Sequence, residues 1–362
     1  MKIGIITYHR AHNYGAVLQC YALQEVLRTM GHDTWVIDYC QPYIDDRYKS
    51  VFDFLQFSKL LFKLNLKSAL RLIVSYIRTQ GRKENFEKFR MNYLRCTDKC
   101  FQKGIPQNFD CYMIGSDQVW GLHCTCGYDP VFWGQFNKPP KSRLIGYAIS
   151  SNGDYKDYLS KQEIISYVNS FDYLSFREES VRDDIKSITG LTKSITLDPT
   201  LLTTQEIWSA LLNKRWKKRN YVVVYQIRVL PHNRNMIKKQ AVQYAKKYGC
   251  DVIDLTSMRY SVEDFVSAIR YAKCVFTSSF HATVFSLIFG TPFFSFKLYD
   301  GHDGRYADLL KEFGLERNLV DESSKIEQLN PSFDHHFILK KLKEFQETSL
   351  RYLVDSCSKK AN

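Results

Sequence analysis

Residues 274–297 read CVFTSSFHATVFSLIFGTPFFSFK, and this stretch decides the fold. Residues 274–278 form a short apolar run bounded by polar residues, as a buried strand does. Phe280 to Phe289 carry apolar residues at helical spacing, and Gly290, Thr291 and Pro292 stop that helix before a second apolar run, Phe293 to Phe296. The pattern is strand, helix, strand, with Ser278, Ser279 and His281 at the carboxyl end of the first strand. In an open α/β sheet that end is where ligands bind, and the free amides and positive dipole end of the next helix favour an anion there. A serine at this junction also serves as an ordinary N-cap, so the histidine beside the hydroxyl pair is the more telling residue.

Working outward, the same alternation recurs on both sides. Lys2 to Tyr8, Ala16 to Met30 and Thr34 to Tyr39 read as strand, helix and strand. Further strands are expected at Cys111 to Ile114, Leu144 to Ile149, Tyr173 to Phe176 and Ser194 to Leu197. A second series comes at Tyr221 to Ile227, Val252 to Leu255, Cys274 to Thr277 and Phe293 to Phe296, with helices between at Asn233 to Tyr248, Val262 to Tyr271 and Phe280 to Phe289. A chain of 362 residues exceeds what one core usually organises. The expected fold is therefore α/β, with two Rossmann-like doubly wound domains facing a cleft. Residues 1–203 form the first, with a basic helical insertion at about 50–103; residues 204–335 form the second; residues 336–362 are a closing helix and tail.

The net charge of +13 is concentrated in one region. Arg47 to Lys103 hold fourteen Lys or Arg against Asp53, Glu84, Glu87 and Asp98, which is ten of the thirteen net charges. Within Phe52 to Gln80, Lys59, Lys63, Lys67 and Arg71 recur every four residues beside an apolar face that includes Leu60, Leu64, Leu70 and Ile77. Such a segment either packs on its own domain or lies on an anionic membrane surface. No zinc-finger, RNP or helix-turn-helix pattern accompanies it, which argues against nucleic acid. Ten cysteines without a C-x-x-C pair give no metal spacing and suit a reducing compartment, and neither a signal peptide nor an uncharged span is evident. The expected location is cytoplasmic, peripheral at the inner face of the cell membrane.

Several side chains fall where a cleft would collect them. Arg177 stands at a strand end of the first domain, and Arg228, Lys297 and Arg305 at strand ends of the second, where guanidinium and ammonium groups suit carboxylate or phosphate. Ser278, Ser279 and His281 join them as an anion site. His281 is the candidate acid, since an imidazole titrates near neutrality. Asn13 either caps the first helix or bonds a sugar hydroxyl, Tyr14 lies beside it, and Gly15 lets backbone approach a ligand. Ser116, Asp117 and Gln118 end another strand. Asp117 either accepts a proton from a hydroxyl nucleophile or caps the helix or loop after its strand.

Four segments carry a resemblance. HRAHNYGAVLQCYALQ (9–24), DCYMIGSDQVW (110–120), SFREESVRDDIKSITG (175–190) with TLDPTLL (196–202), and FTSSFHATVFSLIFGTPFFSF (276–296) with GRYADLLKEFGL (304–315) stand in the order and spacing of the polysaccharide pyruvyl transferase family. The chain resembles that family over nearly its full length, with SFHAT where SFHGT is commoner. The resemblance implies a two-domain fold like that of GT-B glycosyltransferases, phosphoenolpyruvate as donor, and a pair of hydroxyls on a lipid-linked hexose such as galactose as acceptor, in surface polysaccharide synthesis. Donor-site positions then fall on Arg177 and His281, more loosely on Arg228, Lys297 and Arg305, and no metal or cofactor is called for. A GT-B glycosyltransferase using a sugar nucleotide and a non-catalytic anion-binding protein are the alternatives.

Overall fold

The structure, a computed structural model, describes residues 1–47, 58, 66–203, 205–227, 236–257, 259–298, 304–321 and 323–358. Two parallel sheets organise it. The first holds β1 (Lys2–Ile6), β2 (Asp33–Val36), β3 (Cys111–Asp117), β4 (Arg143–Ile149), β5 (Tyr173–Phe176) and β6 (Ser194–Ile195), in the order β2-β1-β3-β4-β5-β6. The second holds β7 (Tyr221–Tyr225), β8 (Asp251–Asp254), β9 (Val275–Thr277), β10 (Phe293–Phe296) and β11 (Leu319–Val320), in the order β11-β10-β9-β7-β8. Their inner strands are buried on both faces, as Val222–Val224 and Phe293–Phe296 are, so they read as unbroken apolar runs rather than alternating ones.

Both sheets share one topological device. In each, the first strand has the second on one side and the third on the other, with Ile3 opposite Cys111 and Val223 opposite Val275. Successive crossovers therefore leave in opposite directions between β1 and β3 and between β7 and β9. A crevice opens at the carboxyl ends of those strands, which places the site.

The helices couple the two sheets. Helix α1 (Tyr14–Thr29) is buried over thirteen of its sixteen residues, because each side meets a different domain. Leu23, Val26 and Leu27 pack against Ile3 and Ile5 of the first sheet. Tyr14, Val17, Leu18 and Tyr21 join the core of the second domain with Phe265 and Phe285. Tyr14 stacks on Phe265 at 4.4 Å between centroids, and its hydroxyl donates to the Tyr260 carbonyl at 2.8 Å. That aromatic burial contributes on the order of 2 kcal/mol across the domain boundary.

The basic segment enters as α2 (Leu66–Tyr93). Its last turns are anchored, with Phe86 stacked on His12 at 5.4 Å and Phe89 edge-on to Tyr21 at 6.0 Å. Its first turns expose Leu66, Leu70 and Ile77 at 65%, 62% and 62%, a stripe bordered by Lys67, Arg71 and Arg78. Lys59, Lys63 and most of the expected segment before Leu66 lie outside the described residues. No described helix is long and apolar enough to cross a membrane.

In the second domain, α3 (Val262–Tyr271) and α4 (Phe280–Phe289) flank β9; α4 ends on Gly290, whose φ of 68° is left-handed. The closing helix α5 (His335–Cys357) begins on the second domain, where His335 Nε2 meets the Ile288 carbonyl at 3.0 Å. It ends on the first: Arg143 donates to the Ser356 carbonyl at 2.6 Å and Tyr352 to the Gly146 carbonyl at 2.8 Å.

Candidate active site

The turn from β9 into α4 is built from its own hydroxyls. Thr277 Oγ1 donates to the Tyr225 carbonyl at 2.7 Å and accepts from the Ser279 amide at 3.0 Å, tying the turn to β7. The two adjacent serines divide. Ser279 is the N-cap of α4, accepting from the Ala282 amide at 3.4 Å, whereas Ser278 is 1% exposed and its hydroxyl has no hydrogen-bond partner among the described residues. The amides of Phe280 and His281, which have no acceptor within the helix, lie beside them.

His281, in that first turn, is held by the other domain. Its Nε2 lies 3.5 Å from Asp198 Oδ2, ion-pair distance at the outer limit for a hydrogen bond. Its ring lies against Gly15 so closely that a Cβ there would stand 2.1 Å from Nδ1. Gly15 is thus the floor for the imidazole; its contact is His281, not an acceptor, and this corrects the expectation of backbone opened to a ligand.

Asp198 is the centre of the arrangement, and no signal in the sequence singled it out. The segment Asp198-Pro199-Thr200 starts a short helix (Pro199–Leu202), with Asp198 Oδ1 accepting from the Thr200 amide at 3.0 Å and hydroxyl at 2.6 Å. This cap fixes Oδ2 toward Arg177, whose Nη1 donates at 2.8 Å, and toward His281. Burial alone would raise the Asp198 carboxyl; His281 and Arg177 overcome it and hold the group well below the ordinary carboxylate range. Arg177, its side chain 4% exposed, also gives Nε to Glu178 at 3.0 Å. Burial opposes its charge, while Glu178, Asp198 and Asp117 raise its pKa further above the usual guanidinium value. Nη2 alone has no partner among the described residues, so Arg177 offers an incoming anion one nitrogen rather than a fork.

The remaining expected residues separate into those that meet and those that do not. A cavity of about 250 Å³ is lined by Asn13, Asp117, Gln118, Ser279 and His281, together with Tyr8, His123, Cys124 and Ile227. Asn13 caps α1, its Oδ1 accepting from the Gly15 amide at 2.9 Å, yet still borders the cavity. Asp117 has a left-handed φ of 84° and accepts from the Gln118 amide at 2.8 Å. Ser116 and Tyr14 are fully buried elsewhere: Ser116 donates to the Ala148 carbonyl at 2.9 Å, and Tyr14 is locked in the core between the domains. Neither side chain reaches the cavity, which corrects both as acceptor contacts.

Arg177 lines a second cavity, of about 400 Å³, with Glu178, Asp198, Asp308 and Glu312; Phe280 borders both cavities. Phe280 packs edge-on to His281 at 5.1 Å and lies 5.1 Å from the Arg177 guanidinium. Lys297 is half-buried at the end of β10 and lines neither cavity. Arg228 lies outside the described residues, directly after the cavity-lining Ile227. Arg305 belongs to the helix Gly304–Glu312, and its side chain is not among those described.

The sequence profile of the polysaccharide pyruvyl transferase family matches residues 13–298. The chain belongs to that family. The matched span runs from Asn13 of the first domain past His281 of the second, so it holds the whole Gly15–Asp198–His281–Arg177 constellation. No curated protein matches this pyruvyl transferase family member in sequence. Among solved structures it is similar to the UDP-GlcNAc 2-epimerase of Methanocaldococcus jannaschii, 11% identical over 98% of this chain and 100% of that one, TM-score 0.47. It is also similar to the UDP-GlcNAc 2-epimerase of Neisseria meningitidis, 11% identical over 99% of this chain and 95% of that one, TM-score 0.43.

Proposed function

We propose that the protein transfers the pyruvyl group of phosphoenolpyruvate onto two hydroxyls of one sugar, forming a cyclic ketal and releasing phosphate. The observation that carries this reading is His281, set at the start of α4 and bound to the same Asp198 oxygen as Arg177. Phosphoenolpyruvate presents a carboxylate and a phosphate, which suit a helix start, a buried guanidinium nitrogen and an imidazolium. Arg228 and Arg305 are further donor cations in this reading, whereas Lys297, which lines neither cavity, is set aside as a donor contact. No bound cofactor takes part; phosphoenolpyruvate is a co-substrate.

The chemistry divides between the two sides of the cavity. His281, placed against Asp198, gives a proton to the methylene carbon, and the neighbouring carbon becomes an oxocarbenium-like electrophile. Asp117 faces it from the first domain and accepts the proton of the attacking hydroxyl, while Asn13 and Gln118 bond the sugar. The second hydroxyl closes the ketal as phosphate departs. A hexose on a lipid carrier, such as a galactosyl unit, is the acceptor in this reading, and the exposed stripe of α2 with its basic border holds the enzyme at the anionic inner face of the membrane.

Incubation with phosphoenolpyruvate and a galactosyl acceptor tests the reading. The expected result is phosphate release together with a product heavier by one pyruvyl ketal, reduced about 10²-fold or more in kcat by His281→Ala. Sugar transfer from a sugar nucleotide in place of that product would overturn it in favour of a glycosyltransferase.

A further inference from the structure

The wall of the 250 Å³ cavity carries a second reactive group, formed by the loop after β3. Cys124 Sγ lies 3.2 Å from His123 Nε2, and His123 Nδ1 lies 3.3 Å from Asp154 Oδ2. Asp154 is itself fixed, since its two oxygens accept from the Leu122 amide at 2.9 Å and the His123 amide at 3.0 Å. Thiol, imidazole and carboxylate thus stand in the relation that activates a nucleophile: the carboxylate meets the ring at Nδ1, and Nε2 faces the thiol. Cys124 and His123 both line the cavity that receives His281, which is 9% exposed.

We propose that Cys124 is an activated thiol of the active site that adds to the second carbon of phosphoenolpyruvate, holding the donor covalently until the acceptor arrives. This rests on the pyruvyl transfer reading above. In the step, His281 delivers its proton to the methylene carbon, and the electrons of the carbon–carbon double bond form the new C–H bond. The Cys124 thiol proton passes to His123, and the sulfur forms an S–C bond to the second carbon. Nothing leaves at this stage, and the phosphate stays attached to the second carbon. When a sugar hydroxyl forms its O–C bond at that carbon, its proton passes to Asp117, the S–C bond breaks and His123 returns its proton to the sulfur; the second hydroxyl then displaces the phosphate. The adduct keeps the electrophile from water in a cavity open to solvent, a use for a thiol that proton donation by His281 alone does not require.

The test uses the full-length protein and two probes. With iodoacetamide, Cys124 is expected to be alkylated about tenfold faster than the exposed Cys126 two residues on, and His123→Ala should remove that advantage. With phosphoenolpyruvate and no acceptor, rapid quenching and peptide mass spectrometry should find Cys124 heavier by one whole phosphoenolpyruvate, an adduct absent from Cys124→Ser and from His281→Ala. Phosphoenolpyruvate should also slow alkylation of Cys124 and leave Cys126 unaffected. Equal alkylation of the two cysteines would overturn the activated thiol. A Cys124→Ser enzyme that folds and makes ketal at the wild-type rate would overturn the covalent step while leaving pyruvyl transfer standing. Absence of any ketal product from the wild-type enzyme, with Cys124 still the faster cysteine, would overturn the donor reading and with it the adduct, leaving a reactive thiol of other use.

Discussion

Gly15→Ala is the sharpest perturbation the structure offers. Gly15 sits in the first turn of α1 without a left-handed φ, so it is there for room rather than for backbone freedom. A methyl group at this position would lie 2.1 Å from Nδ1, 2.5 Å from Cγ and 2.6 Å from Cε1 of His281. Ordinary contact begins near 3.4 Å, so the ring must retreat by about 1 Å or more. It cannot do so and keep its 3.5 Å relation to Asp198, which approaches the ring from the first domain as well. A displacement of that size in a reacting group costs on the order of 10²-fold in rate. The effect on stability is smaller, because overpacking costs about 1–3 kcal/mol and alanine recovers up to about 1 kcal/mol over glycine in a helix. The assay is phosphate release from phosphoenolpyruvate with a saccharide acceptor, alongside a thermal melt. If Gly15 acts through His281, the substitution should cost little in a His281→Ala background. A Gly15→Ala enzyme with wild-type kcat would refute the assignment of His281 to this position.

Other substitutions probe neighbouring parts of the site. Arg177→Lys keeps the charge and loses the separate bonds to Glu178 and Asp198; the expected result is a KM for phosphoenolpyruvate raised about tenfold, and an unchanged KM places the donor elsewhere. Burial, with Arg82, Arg90 and Lys83 nearby, pushes His12 from 6.5 down to about 4. The unfolded chain therefore binds a proton that the folded one refuses: the stability from neutral His12 is whole above pH 6.5 and falls as pH drops toward 4. His12→Phe, retaining the stack on Phe86, should flatten the melting temperature across that interval, and an unchanged slope would contradict the burial argument. Charge reversal of Lys67, Arg71 and Arg78 should release the protein from acidic vesicles, since each basic residue near such a surface contributes about 1 kcal/mol. Equal flotation of mutant and wild type would return that face of α2 to a role within the protein.

The fold was legible because its strands and helices differ in period. Phe280 to Phe289 stands between Ser279 and Gly290 as the cap signals require, and the buried strands read as short apolar runs. The β2 strand is shorter than its apolar run, because the chain past Val36 turns to meet Cys96 and Cys100 beyond α2. The site was legible where chemistry coincides with a strand end or a helix start, as at Asp117, Arg177 and His281. Asp198 caps the short helix that follows it, and its second oxygen acquires its meaning from Arg177 and His281, 21 and 83 positions away in the chain. Asn13-Tyr14-Gly15 carried the opposite ambiguity. Capping of the first helix and contact with a ligand were both open there, and the packing of one domain on the other claims Tyr14 for Phe265 and Gly15 for the imidazole.

Helix α1 belongs to the first sheet by its place in the chain and to the second domain's core by half of its side chains. Recombination between relatives would therefore meet no neutral seam between β6 and β7. A crossover there would pair one parent's Tyr14, Val17 and Tyr21 with the other's Phe265 and Phe285, and one parent's glycine floor with the other's histidine. Helix α5 would add a second mismatch, since it starts on Ile288 and finishes on Arg143. The packing ties the two halves together, so a half exchanged alone is expected to lose stability, whereas changes in the exposed turns of α2 are not.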